Sequence, residues 1–259
     1  EKVYDQVLDL MEQMAEILKD GSVSYVKWDM NRSITECWSP ALPADRQGEV
    51  FHRYILGVYD LYERLTQAFP QVLFESCASG GARFDPGLLY YAPQAWTSDD
   101  TDAVERLKIQ YGTSYCYPVS SMGAHVSAVP NHQLHRVTPL HTRANVAFFG
   151  AFGYELDLNR LSQEELAQIR QQTAFMKQWR GLLQFGTFYR LESPFEGNTA
   201  AWMTVREDQA KAIVGWYRVL NTVNPPYTRL RLTGLDPDRL YTVTVREKER
   251  AGRVVGQFY

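Results

Sequence analysis

The chain has 259 residues, of which 45% are hydrophobic, so it is long enough for one or two domains with a large core. Its formal net charge of −3 argues against a nucleic-acid partner, and no apolar run approaches the roughly 20 residues that cross a bilayer. The cysteines Cys37, Cys77 and Cys116 are too scattered for a disulfide framework, which favours a reducing, cytoplasmic location.

Helical and strand patterns alternate along the first 185 residues. We predict helices over 3–19, 49–68, 103–112, 143–152 and 162–183, and strands over 24–30, 71–76, 94–98, 119–127 and 154–158. Two of these helices begin with capping-box spacing, at Asp102 with Glu105 and at Ser162 with Glu165. Alternating strands and helices indicate βαβ units, and therefore a parallel sheet or barrel in an α/β fold.

The pattern changes after residue 186, where short apolar segments are separated by turn signals. We predict strands over 188–191, 200–205, 212–217, 228–232 and 240–246. The segment Thr242-Val-Thr-Val alternates with period two, as a half-buried strand does. The sequence therefore predicts a small antiparallel β domain over 186–259, following an α/β domain over 1–185.

Three of the predicted strands end in polar residues, near Asp29, Cys77 and Asp99. The carboxyl ends of the strands of a parallel barrel meet at one rim, which holds the active site. Alternation along the strand puts Lys27 and Asp29 on the same face, where the cation would keep the carboxylate ionised. An ionised carboxylate at a strand end suits a nucleophile. Lys27 and Asp29 are also compatible with an ion pair that has only a structural role.

A second carboxylate is available at the end of a different strand. Two carboxyl groups about 5–5.5 Å apart across a sugar site give hydrolysis with retention. Asp99 lies nearer the strand than Asp100, although the residue types alone leave both open as the acid/base. The same acids also fit a helix start favoured by the helix dipole, since Asp102 has N-cap spacing.

Metal binding is not expected from this sequence. The acidic cluster lacks the order of a calcium loop, and the histidines lack the spacing of a zinc site. The histidines concerned are His125, His132, His135 and His141. Of these, His125 is the candidate to lie near a bound sugar, and we expect neither a metal nor another cofactor.

These segments resemble the motifs of glycoside hydrolase family 36, the bacterial and fungal α-galactosidases. Tyr-Val-Lys27-Trp-Asp29-Met-Asn31-Arg resembles the nucleophile motif of that family. Phe-Glu-Ser-Cys77-Ala-Ser-Gly-Gly-Ala-Arg83 and Trp96-Thr-Ser-Asp99-Asp-Thr-Asp resemble its next two motifs. The resemblance runs in order from about residue 20 to about residue 240.

The resemblance implies a retaining α-galactosidase that hydrolyses terminal α-D-galactosyl residues of raffinose- or melibiose-type sugars. Asp29 would attack the anomeric carbon, and Asp99 would protonate the leaving oxygen and then activate water. The substrate-binding residues it implies are Lys27, Asn31, Cys77, Ser79, Gly80, Arg83 and Trp96. Members need no metal and often form tetramers, so a homo-oligomer is expected.

The family fold is a (β/α)8 TIM barrel followed by a small antiparallel β-sandwich domain. Residues 1–185 would supply only barrel strands four to eight, because family members are several hundred residues longer. An open half-barrel exposes sheet edges and an apolar face, so we expect the chain alone to hydrolyse little or nothing. Two alternatives remain at this point: an α-N-acetylgalactosaminidase, and a non-catalytic sugar-binding or assembly fragment.

Overall fold

A computed structural model of the chain describes residues 2–246, with side chains described from residue 7. The helices are α1 (Lys2–Lys19), α2 (Val50–Ala68), α3 (Pro86–Tyr91), α4 (Ala103–Thr113), α5 (Leu140–Ala147) and α6 (Gln163–Phe185). The strands are β1 (Tyr25–Asp29), β2 (Leu73–Cys77), β3 (Gln94–Ala95), β4 (Gly123–Ser127), β5 (Ala151–Glu155), β6 (Thr187–Glu192), β7 (Thr199–Val205) and β8 (Ala212–Arg218). Short 3-10 turns cover Ala44–Glu49, Val119–Ser121 and Leu158–Arg160.

The first five strands are parallel and follow one another in space. β1, β2 and β3 form one parallel sheet in that order, and β4 pairs with β5 in another. A parallel bridge between Ala95 and Met122 joins the two sheets. The five strands therefore turn their carboxyl ends to one edge, and the predicted mixed α/β fold is confirmed.

The two predicted helix starts differ in detail. Ser162 and Glu165 exchange hydrogen bonds of 3.2 and 2.9 Å between side chain and backbone N–H, which makes a complete capping box. Asp102 accepts from the N–H groups of Val104 and Glu105 and is confirmed as the N-cap of α4. Its own N–H donates to Asp100 instead of Glu105, so only one arm of that box is present.

The predicted boundaries around residue 150 are wrong. The helix predicted over 143–152 and the strand predicted over 154–158 are α5, which ends at Ala147, and β5, which begins at Ala151. A Cβ on Gly150 would lie 2.6 Å from the Ala124 Cβ, so the chain at this point passes closely against β4. The apolar run at β5 forms a strand because it pairs with β4, although its composition also suits a helix. The short helix α3, which Asp85 caps, was not predicted.

β6, β7 and β8 confirm the predicted antiparallel sheet. The strands predicted over 228–232 and 240–246 are wrong, because neither segment forms a strand. Period-two alternation becomes a strand only where a partner backbone is available. Tyr227, which precedes the first segment, and Leu240, which begins the second, are fully exposed. Residues 2–246 thus hold one three-stranded antiparallel sheet and not a sandwich. The rest of the predicted β domain, 247–259, lies outside the described residues.

Two hydrophobic cores support this arrangement. The larger joins α4, α5 and α6 to the antiparallel sheet, and Trp202, only 1% exposed, lies between rings of both parts, including Phe149 and Tyr217. The smaller core packs α2 against β1 and β2 around the buried Tyr62. Within residues 2–246, none of the helices has the length and apolar character that a membrane crossing needs.

Candidate active site

Asp29 is the last residue of β1, beside the last residue of β2. The strand register pairs it with Cys77, whose side chain is buried. Asn31 Nδ2 donates to Asp29 Oδ2 at 2.8 Å. As predicted, Trp28 turns to the other face, where it packs on Tyr62 in the smaller core.

The surroundings of Asp29 favour its ionised form. Partial desolvation raises the pKa of its carboxyl, but hydrogen bonds from Asn31 and Cys77, the charge of Lys27 and the Met30 N–H outweigh desolvation and lower the pKa. Burial raises the pKa of the Cys77 thiol to about 11, so the thiol remains protonated and acts as a donor. The carboxylate is therefore available as a nucleophile at neutral pH.

A tight turn after β2 connects the Asp29 region to Asp99. Asn31 Oδ1 accepts the Ser79 N–H at 2.7 Å. Ser79 and Gly80 adopt left-handed φ values of 48° and 79°. A Cβ on Gly80 would lie 2.7 Å from Ser98 Cα and 3.1 Å from Asp99 N, so only glycine lets the turn approach this backbone. Contacts through Asn31 and this turn thus connect the Asp29 carboxylate to the backbone of Asp99.

The two neighbouring acids between β3 and α4 have different environments. Asp99 is exposed, and Trp96 Nε1 donates to its Oδ1 at 3.1 Å. Asp100 is half-buried, and its carboxylate accepts the Asp102 N–H at 3.0 Å where α4 begins. Asp99 is therefore the more accessible of the two acids, and Asp100 makes a local structural contact.

Lys27 lies between a buried acid and an aromatic ring. Its Nζ is 3.7 Å from Glu75 Oε1 and 4.6 Å from the centroid of the Trp96 ring. Glu75 is 3% exposed and also accepts hydrogen bonds from the Tyr25 hydroxyl and from Gln94 Nε2. The ion pair of Lys27 is thus with Glu75, while its charge still acts on Asp29.

Arg83 contacts the backbone that follows β1. Its Nη1 donates to the Met30 carbonyl, and its guanidinium lies 5.6 Å from the Tyr54 ring centroid. These contacts hold the segment between Asp29 and Asn31. The side chain expected to bind a substrate therefore contacts the protein itself here.

Three charged residues near the site had no predicted catalytic or binding role: Glu75, Arg106 and Glu155. Burial lowers the pKa of Arg106 to about 10 against the opposing effect of Asp100 and Glu155. The imidazole Nδ1 of His125 lies 3.5 Å from Glu155 Oε2, and this contact lowers the pKa of Glu155 despite partial burial. Glu155 ends β5, so the strand-end argument could have found it, whereas Arg106 lies within α4 and gives no such signal.

Neither cavity of note coincides with this site. One, of about 510 Å³, lies between the end of α6 and the antiparallel sheet, and the other, of about 350 Å³, lies between α4, α5 and β8. None of the predicted site residues lines either of these two cavities. Among residues 2–246, no three His, Cys, Asp or Glu side chains are grouped to hold a metal ion.

Comparison with known proteins covers nearly the whole chain. Residues 2–186 match the Melibiase family, and residues 199–257 match the Glycosyl hydrolase family 36 C-terminal domain. Alpha-galactosidase AgaA of Geobacillus stearothermophilus is 57% identical over 234 residues, which are 90% of this chain and 32% of that protein. Alpha-galactosidase 1 of Pediococcus pentosaceus is 50% identical over 233 residues, with the same two coverages of 90% and 32%.

The fold of this chain also matches that of a solved relative. A crystal structure of AgaA superimposes with a TM-score of 0.85 at 58% identity and covers 91% of this chain and 32% of that chain. The chain therefore spans about a third of the length of these relatives. Because its motifs, its fold and both family matches agree, the chain belongs to the melibiase family, glycoside hydrolase family 36.

Proposed function

We propose that the protein containing this chain is a retaining α-galactosidase acting on raffinose- and melibiose-type oligosaccharides. An Asp29 oxygen attacks the anomeric carbon of the terminal galactosyl residue, while the glycosidic C–O bond breaks and Asp99 gives its proton to the departing oxygen. Asp99 then takes a proton from water, whose oxygen displaces Asp29 and releases galactose with its original configuration. The position of the Asp29 carboxylate at the end of β1, paired in register with Cys77 and hydrogen-bonded by Asn31, is the observation that carries this proposal.

Two complexes of a relative support the assignment. Solved structures of Geobacillus stearothermophilus AgaA variants contain raffinose in one case and stachyose in another, and each variant has one aspartate replaced. The two replaced aspartates are separated along that chain by the same number of residues as Asp29 and Asp99 here. This agreement supports the two aspartates as the catalytic pair.

The galactose pocket in this proposal surrounds the same two aspartates. Lys27 and Asn31 hydrogen-bond sugar hydroxyls, and Asn31 also orients Asp29. Cys77, the turn at Ser79 and Gly80, and the Trp96 ring line the pocket. Arg83 acts on the sugar indirectly, because its guanidinium binds the Met30 carbonyl.

The finer architecture is part of the proposal. Residues 1–185 supply strands four to eight of a (β/α)8 barrel, which the sequential parallel order of β1 to β5 supports. The C-terminal β domain of this proposal spans 186–259, and its described part, residues 186–246, begins where α6 ends at Phe185. The protein is a cytoplasmic homo-oligomer that acts on galactosyl oligosaccharides.

Covalent labelling tests the mechanism in the complete gene product that contains this chain. A fluorinated galactosyl reagent with a good leaving group should be trapped on Asp29, and peptide mass mapping identifies the residue. Asp29→Asn should abolish labelling, while Asp99→Asn should still label and should reduce raffinose turnover by about 10²–10⁴-fold, the usual contribution of general acid catalysis.

The outcomes separate the candidate functions. A label on another residue, or a first-formed product of inverted configuration by NMR, contradicts the proposal. Binding of galactose without labelling or turnover favours the non-catalytic sugar-binding alternative. Turnover restricted to α-N-acetylgalactosaminides favours the alternative glycosidase.

A further inference from the structure

A buried guanidinium supports the segment after β3 that carries Asp99. Arg106 in α4 is 2% exposed, and its Nη1 donates to Thr97 Oγ1 at 2.7 Å. Its Nη2 donates to the Ser98 carbonyl at 2.9 Å. Burying a charge costs free energy unless hydrogen bonds compensate for lost water. Here they fix the two residues that immediately precede Asp99.

The same guanidinium packs on the ring that holds the Asp99 carboxyl. The Arg106 Cζ lies 4.4 Å from the centroid of the Trp96 ring, within the range of a cation–π contact. His125 lies 4.6 Å from that ring, centroid to centroid, and a Cβ on Gly123 would approach its Cε3 to 2.8 Å. Trp96 is therefore confined to one orientation, in which its Nε1 donates to Asp99 Oδ1 at 3.1 Å.

A general acid works only if its proton is within hydrogen-bond reach of the leaving oxygen. The Asp99 side chain is exposed, so by itself it would sample several rotamers. The indole N–H restrains one carboxyl oxygen and leaves the other to carry the proton. When the proton is transferred to the glycosidic oxygen, the same N–H stabilises the carboxylate that remains.

We propose that Arg106 and Trp96 form a positioning pair for the acid/base: Arg106 acts through the Trp96 ring and the backbone of Thr97 and Ser98, and Trp96 acts through its hydrogen bond to Asp99. This inference rests on the proposed function. It assigns a role in the reaction to a buried helical arginine that does not itself reach the substrate.

Leaving-group dependence distinguishes this role from a general structural one. Raffinose needs protonation of its leaving oxygen, whereas the dinitrophenolate of dinitrophenyl α-galactoside departs unprotonated. In the complete gene product, Arg106→Met and Trp96→Phe should each lower the ratio of kcat/KM for raffinose to kcat/KM for the dinitrophenyl substrate by about 10-fold or more, part of the full general-acid effect. Arg106→Lys keeps the charge over the ring, so its ratio should lie between that of Arg106→Met and that of the parent.

A matched control comes from the same end of α4. Arg136 pairs with the N-cap Asp102 and lies 3.7 Å from Glu105, so Arg136→Met disturbs the start of this helix without touching Trp96. Its ratio of kcat/KM values should stay at the parent value. Azide, which replaces base-activated water, should accelerate dinitrophenyl turnover in Arg106→Met and Trp96→Phe but not in Arg136→Met.

The results separate failure of this inference from failure of the proposed function. If Asp99→Asn lowers the ratio but Arg106→Met and Trp96→Phe do not, or if Arg136→Met lowers it equally, the positioning role is wrong. If Asp99→Asn also leaves the ratio unchanged, the acid/base assignment has failed, and the positioning role fails with it. Should Arg106→Met not fold, Trp96→Phe still tests the hydrogen bond to Asp99, and Arg106→Lys tests the arginine, because a parent value of the ratio in Arg106→Lys would contradict the role of its hydrogen bonds to Thr97 and Ser98.

Discussion

At the scale of single residues, the proposed nucleophile depends on its neighbours more than on its own burial. Asp29 is exposed, and its lowered pKa arises because donors and a cation outweigh desolvation. Lys27 contributes charge while Glu75 and the Trp96 ring hold its ammonium group. Glu75 therefore matters for the nucleophile although it does not contact it.

Removing the charge of Lys27 should move the acid limb of the pH–rate profile. The folded-state pKa of Asp29 lies below the ordinary aspartate value of about 3.9, so the nucleophile is active above its lowered pKa and is lost as pH falls through it. Lys27→Met removes a favourable charge and raises that pKa, so the acid limb of kcat/KM should shift to higher pH.

Measurement of kcat/KM for the dinitrophenyl substrate from acid to neutral pH checks this shift. Lys108→Met is a matched control, because Lys108 lies 3.7 Å from Glu105 on α4 and is not among the groups that act on Asp29. An unshifted acid limb in Lys27→Met would show that the ammonium charge does not tune the nucleophile.

At the scale of elements, the turn after β2 depends on glycine for two reasons. Gly80 has a φ of +79°, and an added Cβ would meet the backbone of Ser98 and Asp99. The turn also carries the Ser79 N–H that binds Asn31, whose amide holds Asp29. Distortion of this turn should therefore disturb both carboxylates together.

Gly80→Ala should destabilise the fold and reduce activity. A left-handed non-glycine residue costs of order 1–3 kcal/mol, and the backbone clash adds to that cost. Gly57→Ala is the contrast, because Gly57 occupies an exposed position of α2 with nothing within 4 Å of an added Cβ. Gly57→Ala should therefore stabilise α2 by about 0.5–1 kcal/mol. Urea unfolding of both variants and their raffinose turnover test this, and equal behaviour of the two would contradict it.

At the scale of the whole molecule, the described chain leaves both outer edges of its parallel strands open. Within residues 2–246, β1 pairs only with β2, and β5 pairs only with β4. Tyr25 and Leu73, register partners on the face of Asp29, are 46% and 59% exposed. An open edge beside an apolar face favours association between chains.

The isolated chain should therefore self-associate and should show no turnover of an aryl α-galactoside above that of its own Asp29→Asn variant. Sedimentation velocity at several concentrations measures the association, and the paired assay measures turnover. A monodisperse, active monomer would refute the prediction, since it would mean that five parallel strands suffice for the site.

The sequence by itself determined those features that depend on local pattern. Period-two alternation separates Asp29 from Trp28 at the end of β1, and cap spacing starts α6 at Ser162. The motifs around Asp29, Cys77 and Asp99 were sufficient to indicate the family, because a strand end and its polar residues are contiguous in the chain.

Only the tertiary structure decided the features that depend on contacts between distant segments. Arg106 reaches Trp96 from another element, and Gly80 meets Asp99 only because β2 and β3 are neighbours. The apolar run after Ala147 became a strand because β4 offered a partner, whereas the alternating segment at 240–246 did not become one. Local periodicity sets which face a side chain takes, but backbone pairing and close approach require a second segment of chain.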